Sequence, residues 1–171
     1  MKASPNPHAD TTLRAAPCQV LTFSLGAEDF GVDILGVKEI RGWTPVTRLP
    51  HVPPHVLGVL NLRGSIVPIL DLRVRFSMPA AEFTALTVII VVAVRTATTV
   101  REFGLVVDAV SDVLDIDAGN LKEPPVLGGA ATMDFIRGLA IVAERMLILL
   151  DVEALIRHDM DLVEAAGRDA A

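Results

Sequence analysis

Four sets of side chains in this sequence have types and spacings that could do chemistry, and each implies a different kind of site. The first is the run Asn61-Leu62-Arg63-Gly64-Ser65, one long cation followed by a flexible residue inside an apolar stretch. A guanidinium is a planar fork of donors that matches a carboxylate, so an arginine presented between strands suits recognition of an acidic partner. A glycine within a strand pattern marks a bulge or a close backbone approach, and a bulge would turn Arg63 outward. An ordinary hairpin turn bearing a solvated arginine fits the same residues. The second set is His51 and His55, four apart, which on a helix would suit a metal. Pro53 and Pro54 stand between them and forbid a regular helix, so no metal site is expected there. The third set, Asp108, Asp112, Asp115 and Asp117, lacks the glycine turn and terminal glutamate of a calcium loop and reads as a solvated edge. The last is Cys18, the sole cysteine, which cannot form an internal disulfide and has no neighbouring His or Lys to activate it.

The common catalytic signatures are missing. There is no Gly-rich phosphate loop ending in Lys-Ser/Thr, no dinucleotide fingerprint, no His-Glu-x-x-His and no Gly-x-Ser-x-Gly. The expectation is a protein that binds rather than catalyses, with no catalytic residues, no cofactor and no metal.

The elements that must position Arg63 are mainly β. With 171 residues, 51% of them apolar and 21% charged, the chain can bury a core and is not disordered throughout. The longest nearly unbroken apolar run, Ala85 to Val94, is half of what a bilayer crossing needs, and the first seventeen residues hold no signal-peptide stretch. A soluble, cytosolic protein without membrane insertion is expected. The net charge of −6 and only seven aromatic residues argue against a nucleic-acid partner. Charge is unevenly placed: Arg41, Arg48, Arg63, Arg73 and Arg75 face only Asp71 between positions 41 and 75, a local +4 that suggests a basic face for an acidic protein.

Residues 1–17 read as a disordered leader, being polar with three prolines. Short strands are expected at Val20 to Leu25 and Phe30 to Ile34; Leu35 to Ile40 fits a strand or a helical turn. Four prolines between Pro45 and Pro54 exclude a helix. Val56 to Leu72 is β-rich, broken at Arg63-Gly64. Met78 to Glu82 reads as a connector. Thr87 to Val94 reads as a buried strand, Arg95 to Glu102 as a Thr-rich loop, Phe103 to Val107 as a strand, Asn120 to Thr132 as a loop and Met146 to Leu150 as a strand. Asp151 to Ile156 suits a short helix. Beyond Arg157 lies an acidic, Ala-rich tail.

An internal repeat organises these pieces. DFGVDILGVKEI at 29–40 aligns without gaps with EFGLVVDAVSDV at 102–113, and GVLNLRGSIVPILDL at 58–72 aligns with GLAIVAERMLILLDV at 138–152. Phe30-Gly31 falls on Phe103-Gly104, Gly58 on Gly138 and Asp71 on Asp151. Two matches in the same order imply a duplication. Each half has too few strands for a sandwich, and closing them into barrels removes the exposed edges. The expected halves are 18–82 and 83–157, followed by a tail at 158–171, with exchange of strands or helix between the halves allowed. Two such units packed through an apolar seam leave a groove between them, a favoured place for binding.

The strings GVDILGVKEIRGW, NLRGSIVPILDL, GLVVDAVSDVL and ERMLILLDVEAL, in that order, resemble the CheW family of bacterial chemotaxis coupling proteins across about Cys18 to Ile156. The resemblance implies two intertwined five-stranded SH3-like β-barrels with a short C-terminal helix. It also implies a non-catalytic scaffold, cytoplasmic and recruited to membrane-associated receptor arrays. Such a scaffold joins the cytoplasmic hairpin tip of chemoreceptors to the regulatory domain of the histidine kinase CheA. On that resemblance Arg63 falls on the family's receptor-binding arginine, Glu39 on an acid that can pair with it, and Val37, Gly58 and Val88 on positions lining the receptor groove. Ile34, Val46 and Leu49 are the candidates for the kinase face. A coupler in a chemosensory pathway with another output, pilus motility or gene expression, fits the same motifs.

Overall fold

A computed structural model describes residues 18–79, 81–124 and 135–159. The expected leader, the Gly128-Gly129 loop and the tail beyond residue 159 lie outside the described residues. Among the described residues ten strands follow one another: β1 Cys18–Leu25, β2 Glu28–Asp33, β3 Val37–Gly42, β4 Val56–Leu62, β5 Ser65–Asp71, β6 Val88–Arg95, β7 Val100–Val107, β8 Ala109–Ile116, β9 Ile136–Val142 and β10 Arg145–Leu150. A four-residue helix, α1, Leu72–Arg75, follows β5, and a second helix, α2, spans 152–159 after β10.

The strands form two five-stranded sheets with orders β8-β1-β2-β10-β9 and β3-β6-β7-β5-β4. The repeat explains this order. β1 to β5 correspond to β6 to β10, and each barrel takes its first two strands from one half of the chain and the other three from the opposite half. The barrels are therefore intertwined, and a cut between residues 82 and 83 would leave neither whole. The exchanged strands join through the two parallel pairings, β2 with β10 and β5 with β7. The repeated glycines sit at these joins. A Cβ on Gly31 would come within 2.9 Å of Leu149, and one on Gly104 within 2.5 Å of Ile69, so each leaves room for a branched side chain from the opposite half.

Strand β6 shows why one stretch of sequence is unbrokenly apolar. Ile89 and Val91 point into the core of their own barrel with Leu62, Val67, Ile69 and Val106. Ile90, Val92 and Val94 point into the seam, where they meet Leu21, Phe23, Leu25, Phe30 and Leu105. The strand is buried on both faces, which removes the usual alternation. The other barrel has a smaller interior of its own, around Val20, Ile116, Ala140, Leu147 and Leu149. Most of the large buried side chains lie in the seam, so at about 1.5–3 kcal/mol for each buried Leu, Ile or Phe the contact between barrels contributes more than either interior.

Three details differ from the sequence reading. Leu35 to Ile40 is neither one strand nor one helical turn: Ile34–Gly36 is a 3₁₀ turn, with the Asp33 side chain accepting the Leu35 amide, and the strand begins at Val37. The Thr-rich loop is shorter than expected, because β7 already starts at Val100. The acidic run at 108–117, expected as a solvated edge, agrees in exposing Asp112 and Asp115 but is mostly a strand not foreseen in the sequence, β8, at the edge of its sheet. The two aspartates matched by the repeat are helix caps: Asp71 accepts the amide of Arg73 at 2.9 Å and Asp151 that of Ala154 at 3.0 Å.

Asp108 has a distinct role. It accepts Arg73 Nε at 2.7 Å and the Gly26 amide at 2.8 Å, while another nitrogen of Arg73 donates to the Pro79 carbonyl at 2.9 Å. The cluster ties α1 to the β1–β2 turn and to the start of β8. The hydrogen bonds from Arg73 hold the Asp108 carboxyl below the usual carboxylate range, against the effect of partial burial, and the Gly26 amide assists. A depressed carboxyl contributes its full stability at pH values above about 4 and loses it as pH falls further. Asp108→Asn is therefore expected to lower stability by about 1–3 kcal/mol at pH 7, with the gap to wild type closing as acid is added. Urea melts from pH 7 to pH 3 check this, and a gap that stays constant over that range would contradict it.

Candidate functional site

The hairpin of β4 and β5 turns at Arg63 and Gly64, both in the left-handed region with φ of 53° and 89°. The Asn61 side chain closes the turn by accepting the Gly64 amide at 2.9 Å. The break at Arg63-Gly64 is thus a tight hairpin turn, and the same two-residue turn recurs at Ala143 and Glu144, with φ of 50° and 66°, in the second copy of the repeat. Bulges do occur nearby, between Val37 and Glu39 in β3 and between Val56 and Gly58 in β4.

Arg63 is 86% exposed, yet it is not loose: its guanidinium donates to Glu39 Oε2 at 3.2 Å. Arg41 stands 3.6 Å from the other oxygen of the same carboxylate. An exposed pair of this kind is worth about 0.2–1 kcal/mol, too little to shape the fold. What it changes is orientation. A guanidinium already held at the tip of a tight hairpin loses less freedom on meeting a partner. Two cations share one carboxylate, so the spot stays positive.

The basic face suggested by charge counting is smaller than the sequence implied. Arg73 is held by Asp108, and Arg75 donates to the buried Asp159 at 2.8 Å. Arg41, Arg48 and Arg63 are what the run 41–75 leaves for a partner. A local sum of charges cannot tell which arginines are paired by residues distant in the chain.

Only Arg63 and Glu39, among the candidate residues, make a polar contact with one another. Val37 and Val88 lie near opposite ends of the β3–β6 ladder, paired with Val92 and Gly42, and both pack partly against the seam. Gly58 is buried in β4 beneath the backbone of Thr47, which bridges to Val59. Ile34, in the 3₁₀ turn, also leans on the seam. Val46 packs with Trp43 and Leu57 against the core of its barrel, and Leu49 is 43% exposed on the loop beyond. Trp43 stacks on Phe83 at 4.0 Å between ring centroids.

The groove expected between the barrels is lined by Leu35 and Lys38, by Val92 and Val94 of β6, by Arg137 of β9 and by Val152 of α2. Leu35, on the 3₁₀ turn, is 89% exposed at its rim. Lys38 lines the groove while its neighbour Glu39 pairs with Arg63, so the short strand β3 carries both features. The signal available in the sequence was weak: one leucine behind a capping aspartate, in a segment whose periodicity fitted two structures. A groove lined by valines and by charges of both signs, Lys38, Arg95 and Arg137 with Asp33, Asp151 and Glu153, can bind an amphipathic helix.

Comparison with known proteins places this arrangement in context. Residues 19–160 match the sequence profile of the CheW-like domain. The probable chemotaxis protein CheW of Rhizobium etli is 40% identical over 148 residues, covering 86% of this chain and 93% of that protein. The chemotaxis protein CheW of Klebsiella aerogenes is 43% identical over 151 residues, covering 88% of this chain and 89% of that one. Among solved structures, the scaffolding protein TtCheW from Thermoanaerobacter tengcongensis superposes with a TM-score of 0.72 at 32% identity, over 79% of this chain and 89% of that one.

Proposed function

This chain belongs to the CheW-like domain family, and from that premise we propose that it is a non-catalytic scaffold of a chemotaxis pathway. It couples the cytoplasmic hairpin tip of chemoreceptors to the regulatory domain of the histidine kinase CheA. Its relatives are named as chemotaxis proteins, which favours that output over pilus motility or gene expression. The observation that carries the reading is Arg63: an exposed guanidinium on a tight hairpin, oriented by Glu39 and standing in the family's Asn-Leu-Arg-Gly string. The receptor hairpin lies along the groove between the barrels with an acidic side chain on Arg63, flanked by Glu39, Val37 and Val88. Gly58 serves this surface by letting the Thr47 segment lie against β4. The kinase docks through Ile34, Val46 and Leu49.

The protein acts in the cytoplasm and is recruited to receptor arrays; no helix among the described residues is long and apolar enough to cross a membrane. Each contact is small, so weak pairwise binding reinforced by simultaneous contacts with receptor and kinase is the expected regime. Titration calorimetry of the full chain against the regulatory domain of CheA from the same cell tests the proposal. Saturable binding near one to one is expected, and no heat at high concentrations of both proteins would overturn the kinase half of it.

A further inference from the structure

His55 and Phe135 occupy the same place in the two copies of the repeat, 80 residues apart. Each carbonyl accepts the amide of a helix-capping aspartate, His55 from Asp71 at 2.7 Å and Phe135 from Asp151 at 2.6 Å. Phe135 is a buried apolar ring, whereas His55, 7% exposed, puts an imidazole where the repeat has a phenyl group. A buried polar group needs a partner.

The partner comes from a second departure from symmetry. α1 ends after four residues, but α2 continues to Asp159, a residue only 4% exposed. Arg75 Nε donates to Asp159 Oδ1 at 2.8 Å. On the other side His55 Nε2 stands 3.2 Å from Oδ2, within ion-pair distance but off the direction of a hydrogen bond. The Arg75 guanidinium also lies over the Phe135 ring at 4.4 Å and reaches His158 Nδ1 at 3.1 Å.

Leu155 and Ile156 already bury α2, both fully. Apolar contacts are non-directional, so what the carboxylate adds is a fixed placement of the last turn against two elements of the other half of the chain. That placement bears on binding, because α2 contributes Val152 and Glu153 to the groove and Glu153 and Arg157 to its continuation along the β6–β7 hairpin. We propose that Asp159, by bridging Arg75 and His55, is a positioning residue that fixes α2 as one wall of the groove and so sets its affinity for the receptor. The binding part rests on the reading that the groove takes the receptor hairpin.

The test compares full-length wild type with Asp159→Asn and Asp159→Glu by amide hydrogen exchange and by titration with a soluble chemoreceptor cytoplasmic fragment from the same cell. In Asp159→Asn the amides of 152–159 are expected to exchange about tenfold faster while those of β6 and β7 keep their protection, and the fragment is expected to bind about tenfold more weakly. Asp159→Glu, which keeps the charge, restores part of both. Unchanged exchange in α2, protection lost throughout the fold, or faster exchange in α2 with unaltered affinity would each overturn the positioning role. A fragment that fails to bind even wild type would overturn the receptor reading instead, and the exchange comparison alone would then decide whether Asp159 holds the helix.

Discussion

Arg63→Glu is expected to weaken binding of a soluble chemoreceptor fragment by about 30-fold or more while the protein melts within about 4 °C of wild type. The stability half of this expectation follows from exposure. The side chain is 86% exposed and, among the described residues, its one ion pair is with Glu39, so losing the pair costs about 0.2–1 kcal/mol, or up to about 4 °C in a domain of this size. The binding half follows from geometry. The new carboxylate would sit beside Glu39 and face the acidic group that the guanidinium is proposed to meet, replacing a forked donor pair with repulsion. Central interface arginines typically contribute about 2 kcal/mol or more, which is about 30-fold in affinity. Arg63→Lys separates charge from shape, since it keeps the cation and loses the fork, and should fall between the two. Affinity for the kinase regulatory domain should not change. A variant that melts normally and binds the receptor fragment like wild type would remove Arg63 from the site.

The hairpin that presents Arg63 was partly legible in the sequence. Apolar, β-rich runs on both sides of Arg63-Gly64 marked two strands and a break. Whether the break was a bulge or a turn depended on a backbone angle that non-glycine residues rarely adopt, and Arg63 adopts it at φ 53°. The duplication was legible because Phe30-Gly31 and Phe103-Gly104 are held to the same residues by the same packing at the parallel joins. The exchange of strands was legible only as something the two halves allowed and the family resemblance implied, because each half has the full set of strands and nothing in their composition says which copy they will pair with. Strand β8 escaped notice for a related reason. An edge strand that exposes Ser111, Asp112 and Asp115 is not held to an apolar alternation, so its strongest signal was its match to β3. Pairings between distant residues were the least legible. His55, Arg75 and Asp159 are brought together from the loop before β4 and from the two helices, and Arg73 meets a partner 35 residues away. These contacts depend on tertiary placement, and a lone charged residue in the sequence looks the same whether it ends in water or against a buried carboxylate.

Gly58 shows how a residue can matter to a binding surface without touching a partner, and it carries the largest effect on stability expected here. Its φ is 151°, open to glycine and strained for any other residue, and a Cβ built on it would lie 2.2 Å from the Thr47 carbonyl oxygen, 2.8 Å from the Thr47 carbonyl carbon and 3.1 Å from Arg48 Cα. These are backbone atoms, so no rotamer change relieves the overlap. The Thr47 segment is fixed in place by its bridge to Val59, with amide-to-carbonyl distances of 3.0 and 2.8 Å in the two directions. Gly58→Ala must therefore break that bridge or distort β4, at about 2–4 kcal/mol for strain and overpacking together. A fall in melting temperature of roughly 5–15 °C follows. The pseudo-equivalent Gly138 is a control built into the fold: a Cβ there would meet the Lys122 carbonyl at 3.3 Å, so Gly138→Ala should be clearly milder. Thermal melts of the two variants decide the matter, and equal losses would show that the Thr47 contact is not what makes Gly58 obligatory. If Gly58→Ala melts as expected and also binds receptor poorly, the two losses have one origin. The segment carrying Val46 and Arg48 lies directly over this glycine, so moving it shifts the β4 edge and, through the hairpin, the arginine that the receptor is proposed to meet.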